Sequence, residues 1–328
     1  MIRLATVTLL ACALGAAAGV PLATAQDYPT KPVEIVVPFV AGGGTDLVSR
    51  LTADYLGKKW GQSLLVVNKP GGGGVIGARA ALKEARADGY TALMDIHTTS
   101  SMLIASRPAP PLTLADRKYA GRIVRDPMVF AVKADAPWKS FRELTDWARA
   151  NPGELIWSSV GPAGPSRYTA FDWFTQTGID TAKTKLVITE GAADSMTKLA
   201  GGHVTLAIHS VAEAHAMSKA GKIRLLAVLS PARIKYIADV PTAEEQGVLK
   251  GVNVQWWAGV AFPVGTPDPI VKKWEGALAE MTKDPAFLEA AARINMNIDH
   301  LNAADMRAFV EREVAGYTEM ATKIGIRR

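Results

Sequence analysis

Apolar and polar positions along the chain alternate between two periods. Residues 33–39 form a near-continuous apolar run, the pattern of a buried strand. Over 46–60, Leu47, Val48, Leu51, Tyr55 and Leu56 recur at the 3.6-residue spacing of an amphipathic helix. The same reading predicts a strand at 64–67, a helix at 75–87 and a strand at 90–96. Further strands are expected at 129–132, 154–158, 185–188, 204–208 and 223–229, with helices at 141–150, 168–176 and 195–200 between them. From Pro269 onward the pattern is mainly helical. A βαβ rhythm of this kind predicts an α/β protein with largely parallel sheets. Past the N-terminal leader there is no internal repeat and no low-complexity tract.

The N-terminus follows another logic. Arg3 precedes an uncharged, Ala-rich apolar run over 4–20, Ala23-Thr24-Ala25 has the small-x-small form of a signal peptidase site, and Gln26-Asp27 turns polar. A secretory signal peptide over 1–25 is expected, cleaved after Ala25. A membrane anchor is the alternative; the run is marginal in length and lacks a basic stop-transfer flank. Leu9-Leu10-Ala11-Cys12 loosely resembles a lipobox, which would lipidate Cys12. Cys12 is the single cysteine, so a cleaved chain would hold no disulfide, thiolate nucleophile or Cys-based metal site. The length favours two domains. Hydrophobic content of 48% and charged content of 21% are those of an ordinary soluble protein. The net charge of +6 is scattered, without a basic stripe, which argues against a nucleic-acid partner and is compatible with an anionic ligand.

Glycine clusters carry most of the chemical signal. Ala41-Gly42-Gly43-Gly44-Thr45-Asp46 lies between a predicted strand and a predicted helix. Glycine there permits a tight turn and leaves amide N–H groups unobstructed. The following helix points its positive end at the same spot, making an anion cradle. Thr45 is expected to cap that helix through its hydroxyl. A tight βα turn without a ligand is the competing reading.

In Gly71-Gly72-Gly73-Gly74-Val75-Ile76-Gly77-Ala78, Gly72, Gly74 and Gly77 match G-x-G-x-x-G. Asp95 follows about twenty residues on, the spacing of a dinucleotide fingerprint. This motif makes an exported NAD-dependent oxidoreductase the alternative function. Against it stand the Asn68-Lys69-Pro70 spacer before the first glycine, the place in the second βα unit, and export away from soluble nicotinamide cofactors. A third loop, Ser158-Ser159-Val160-Gly161-Pro162-Ala163-Gly164-Pro165-Ser166-Arg167, also follows a strand and precedes a helix. Its hydroxyls and glycines suit a carboxylate, which Arg167 would hold bidentately; otherwise Arg167 is a solvated surface residue. At Glu190-Gly191-Ala192-Ala193-Asp194 the acidic pair suits capping a helix as well as touching a ligand.

Catalytic constellations are weak. The five histidines, His97, His203, His209, His215 and His300, form no H-E-x-x-H, and no Gly-x-Ser-x-Gly or P-loop occurs. His97 beside Asp95 reads as structural. Trp256-Trp257 suits ligand stacking or core packing.

The segment Tyr28-Pro29-Thr30-Lys31-Pro32-Val33-Glu34-Ile35-Val36-Val37-Pro38-Phe39, then Ala41-Gly42-Gly43 and Asp46, resembles the opening of the tripartite tricarboxylate transporter receptors, the Bug family of periplasmic binding proteins. Similar in order are Val67-Asn68-Lys69-Pro70-Gly71, Gly74-Val75-Ile76-Gly77 and Asp88-Gly89-Tyr90-Thr91. So are Ala220-Gly221-Lys222-Ile223-Arg224-Leu225-Leu226-Ala227-Val228, Val240-Pro241-Thr242 with Glu244 and Gly247, Trp257, Gly259 and Pro263-Val264-Gly265-Thr266-Pro267. The likeness spans nearly the whole chain past the leader. It implies an α/β, two-lobed, type II-like Venus-flytrap clamp with two hinge crossings, lobe 1 from 26–127 plus 253–328 and lobe 2 from 128–252. By position, Phe39, Ala41, Gly42, Gly43, Thr45, Asp46, Gly74, Val75 and Thr98 would line lobe 1. Ser159, Gly161, Gly164, Ser166, Arg167, Gly191, Ala192 and Asp194 would line lobe 2. The implied protein is a monomeric periplasmic receptor without cofactor, metal or catalysis, which hands a small carboxylate to permease subunits. The chain departs from the family at Tyr168, where a histidine is frequent, at Thr189-Glu190-Gly191, and at Asp95 and His97 in a segment usually small and hydroxylic.

Overall fold

β1 (Val33–Val37) carries apolar residues on both faces, interrupted only by the partly exposed Glu34, because both are covered. Val33, Ile35 and Val37 share a core with Val48, Ala53 and Leu56 of α1 (Gly44–Trp60), while Val36 packs with Ala78, Ala81 and Leu82. The computed structural model describes residues 28–161, 163–251, 254–323 and 325–327. The expected signal peptide, Cys12 and the expected lobe boundary at 252/253 lie outside the described residues.

In lobe 1, β1 stands parallel between β2 (Leu64–Asn68) and β3 (Thr91–Ile96). α2 (Val75–Arg79) and α3 (Leu103–Ala105) are short. The helix expected over 75–87 opens after Arg79 into a wider π-type turn at Ala80–Glu84. β4 (Arg117–Lys133) is the long strand of the molecule. In lobe 2, β5 (Ile156–Val160) lies parallel between β6 (Lys185–Thr189) and β7 (Leu206–Ser210), with β8 (Ile223–Val228) beside β4. Its helices are α4 (Phe141–Ala150), α5 (Pro165–Thr177), α6 (Ala192–Ala200) and α7 (Val211–Lys219). The chain returns to lobe 1 through β9 (Gln255–Pro263), α8 (Asp268–Met281), α9 (Pro285–Arg293), β10 (Ile298–Leu301) and α10 (Ala303–Lys323).

β4 joins the lobes. Residues 117–127 pair antiparallel with β9 in the lobe 1 sheet, and 128–133 pair with β7 and β8 in lobe 2. Pro127, which has no N–H to donate, stands where β4 leaves β9. The sequence pattern shows only the second half of β4, because charged residues interrupt the first half. They are tolerated there by specific partners: Arg122 is buried and bonds Asp299 at 2.7 Å. The two-lobed α/β clamp is the fold expected from the sequence.

Candidate ligand-binding cleft

In lobe 2 the strands β5, β6 and β7 run in one direction and each hands over to a helix, α5, α6 and α7 respectively. In lobe 1, β1 hands over to α1, and β3 to a π-type turn over Thr98–Met102. Crevices outside the carboxyl ends of such strands are where α/β sheets bind ligands. A narrow, largely apolar cleft lies there. Lobe 1 lines it with Phe39, Val40, Gly43, Gly44, Thr45, Ile96, His97 and Thr98; lobe 2 with Val160, Pro165, Gly191, Ala192, His209 and Glu213; the linking strands with Met128 and Trp256.

Three of the converging helices start on glycine: Gly43 for α1, Gly164 for α5 and Gly191 for α6, each without a side-chain cap. Thr45, expected as the cap of α1, is instead buried inside its first turn. Asp46 and Asp194 occupy matching places, three residues past each cap, and bend backwards. Asp46 Oδ2 accepts from Gly42 N at 3.0 Å, and Asp194 Oδ2 from Glu190 N at 3.2 Å. Asn68 Nδ2 donates to Asp46 at 3.0 Å and Arg50 Nε at 2.9 Å; Lys198 pairs with Asp194. Burial pushes the Asp46 carboxyl up, but bonds from Arg50, Gly42 and Asn68 outweigh it and hold it below the usual carboxylate range. Both aspartates shape the loops from outside the glycine-capped turns and cap neither of them. Open amides at positive helix ends suit a carboxylate.

Glycine is required where the lobes meet. At Gly161 (φ 68) a Cβ would stand 2.7 Å from Gly73 Cα. Tyr168 of α5 is buried, with its ring 5.2 Å from that of Tyr317 on α10.

One acid enters the cleft. Ser210 caps α7 in a capping box with Glu213. Glu213 Oε1 accepts from Gly44 N of the opposite lobe at 3.3 Å, and Oε2 from Ser210 N at 3.3 Å, with His209 Nδ1 3.4 Å away. Burial pushes this carboxyl up, but the His209 and Ser210 contacts outweigh it and hold it below the usual range. Burial pushes His97 down to about 4, so its ring is neutral at pH 7.

Of the residues expected from the sequence, Phe39, Gly43, Thr45, Thr98, Gly191 and Ala192 line the cleft. Others support its loops: Ser166 Oγ donates to Ile208 O at 2.6 Å and Ser159 Oγ to Gly161 O at 3.2 Å. Gly74 packs against Phe39 and Thr99. Ala41, Val75 and Arg167 stand outside the lining; the Arg167 guanidinium lies 5.3 Å from the Phe171 ring centroid. Asp95, the acid of the dinucleotide pattern, is buried in an ion pair with Arg117 at 2.6 Å, so it is not free for a ribose. The sequence reading did not assign His209 and Glu213 to the site. Ser210-Val211-Ala212-Glu213 after an apolar run is a capping-box pattern that marks α7 and places Glu213 at its start.

Fold and cleft define a two-lobed solute-binding clamp. A family model for the tripartite tricarboxylate transporter family receptor matches residues 48–326, and the chain belongs to that family. A Cupriavidus necator protein, "UPF0065 protein in gbd 5'region", is 30% identical over 317 residues, covering 96% of this chain and 94% of that one. Protein BugT of Bordetella pertussis is 28% identical over 325 residues, 98% of this chain and 97% of its own. The structure of the periplasmic binding protein BugD is similar with a TM-score of 0.81 and 28% identity, covering 92% of this chain and 100% of that chain. An R. palustris protein solved with adipate gives 0.85 and 29%, covering 91% and 99%. Among the described residues, no helix is long and apolar enough to cross a membrane.

Proposed function

We propose that this chain is a periplasmic receptor that captures a small organic acid (a mono-, di- or aromatic carboxylate) between its lobes and presents it to the permease subunits of a tripartite tricarboxylate-type transporter. The carrying observation is the convergence of glycine-capped helix starts from both lobes on one cleft. The adipate bound by the R. palustris relative supports the same ligand class. In this reading the chain is exported by a leader over 1–25 and acts as a monomer. It needs no cofactor or metal and catalyses nothing. The lobes are 26–127 plus 253–328 and 128–252, a division supported by the place where β4 changes partners. A ligand touching both lobes favours the closed clamp by its differential affinity.

The test is a thermal-shift screen of mono-, di- and aromatic carboxylates, with hits confirmed by calorimetry. At a hundredfold excess over Kd a ligand stabilises the folded state by about 2.7 kcal/mol. A screen without a hit overturns the reading. For Arg167, an Arg167→Ala variant with unchanged affinity removes that residue from the ligand's contacts.

A further inference from the structure

The cleft holds a charge that capture of a simple acid does not use. Glu213 takes the Gly44 N–H at the glycine-capped start of α1, a seat suited to a ligand carboxylate. Its side chain is 8% exposed. No Lys or Arg is among the described residues that line the cleft. His97 and His209 also line it, and the buried His209 Nε2 has no hydrogen-bond partner among the described residues. A neutral His97 ring has a nitrogen that accepts. One side of the cleft therefore carries the Glu213 carboxylate, paired with His209, and acceptor nitrogens. The other, at Gly191 and Ala192, offers the open start of α6.

A dicarboxylate entering this cleft would bring a second anionic group toward Glu213. At about 4 Å and an effective dielectric near 20, like-charge repulsion reaches about a thousandfold in affinity. A protonated amine at the same place reverses the sign of that interaction. We propose that Glu213 selects aminocarboxylates, ligands whose carboxylate meets the glycine-capped turns and whose ammonium meets Glu213, over dicarboxylates of equal length. The inference rests on the receptor reading above and narrows its ligand class.

The experiment is calorimetry on the purified receptor with matched probes: γ-aminobutyrate against succinate, δ-aminovalerate against glutarate, ε-aminocaproate against adipate, and p-(aminomethyl)benzoate against terephthalate. The expected result is that the tightest probe carries an amine and exceeds its dicarboxylate partner by about tenfold or more. Glu213→Gln, checked for folding by circular dichroism, is expected to shrink that gap by about tenfold. If the tightest probe lacks an amine, the aminocarboxylate inference is overturned and the receptor reading stands. If no carboxylate of either kind binds, both fall. The wild-type comparison decides the question even where the variant fails to fold.

Discussion

Arg117→Met removes one half of an ion pair from which water is fully excluded. Arg117 Nη1 lies 2.6 Å from Asp95 Oδ2, and both side chains have 0% exposure. The guanidinium also donates to Ser100 Oγ at 3.2 Å and to Thr99 O at 3.2 Å, and Thr99 Oγ1 donates to Asp95 Oδ1 at 2.7 Å. These bonds pin the turn whose first residue, Thr98, lines the cleft. Deleting one partner of such a pair costs about 3–5 kcal/mol, because the other stays buried and uncompensated. Unfolding entropy near 2.1 cal/mol/K per residue, over about 300 residues, sums to roughly 0.6 kcal/mol/K. The Tm is therefore expected to fall by about 5–8 °C in a melt followed by circular dichroism. Replacing both partners, Asp95→Leu with Arg117→Met, is expected to recover most of that loss, since apolar replacements of buried pairs are often close to neutral. A single variant that melts within about 1 °C of wild type would refute the assignment of this pair as the clamp of the turn. The same burial predicts that NAD(H) fluorescence is unchanged on adding the protein.

Burial pushes Glu313 up to about 7, although Ser101, Trp257 and Tyr317 donate to it. The stability it contributes is full below the ordinary carboxylate value and is lost as pH rises through about 7. Glu313→Gln is therefore expected to gain on wild type between pH 5 and 8, by up to about 3 kcal/mol, read from denaturant midpoints at each pH; a gap that does not change with pH contradicts this. Gly161→Ala places a methyl 2.7 Å from Gly73 Cα at a positive φ, so the lobes should fail to close: calorimetry should show at least about tenfold weaker binding of a screened ligand, and small-angle scattering no contraction. Asp46→Ala frees the Gly42 amide and the Asn68 and Arg50 side chains, so ligand affinity should drop although no charge on the ligand's path is altered; unchanged affinity would show that the loop holds its shape without the aspartate.

Legibility followed locality. The helix expected at 141–150 is local, its apolar face lying in one stretch of sequence; α4 has those bounds, and the structure adds Ser140 as its cap. The first half of β4 was not, because Arg117, Arg122 and Asp126 resemble surface residues until their partners are known. Those partners are Asp95, Asp299 and the Ala212 amide, each distant in sequence. β9 was hidden in a similar way: Trp256 and Trp257 read as an aromatic pair rather than as alternate residues of a strand crossing back to lobe 1. In the cleft, glycine loops were visible because an anion cradle is built within a few residues. Glu213 was not, since its meaning depends on the fold carrying the end of β7 opposite Gly44, 169 positions away.

The two halves of the cleft share one device and differ in one residue. Glycine cap and backward-bent aspartate occur at α1 and again at α6, so backbone geometry alone equips both lobes for an anionic group. Such a pair would fit a symmetrical diacid. Glu213 breaks the equivalence by filling the α1 seat from the opposite lobe, whereas among the described residues no side chain caps the α6 seat. The backbone thus sets the general preference for carboxylates, and a single side chain at the start of α7 decides what the other end of the ligand must carry. Changing ligand class in this clamp should therefore require substitution at position 213 before any change to the glycine loops.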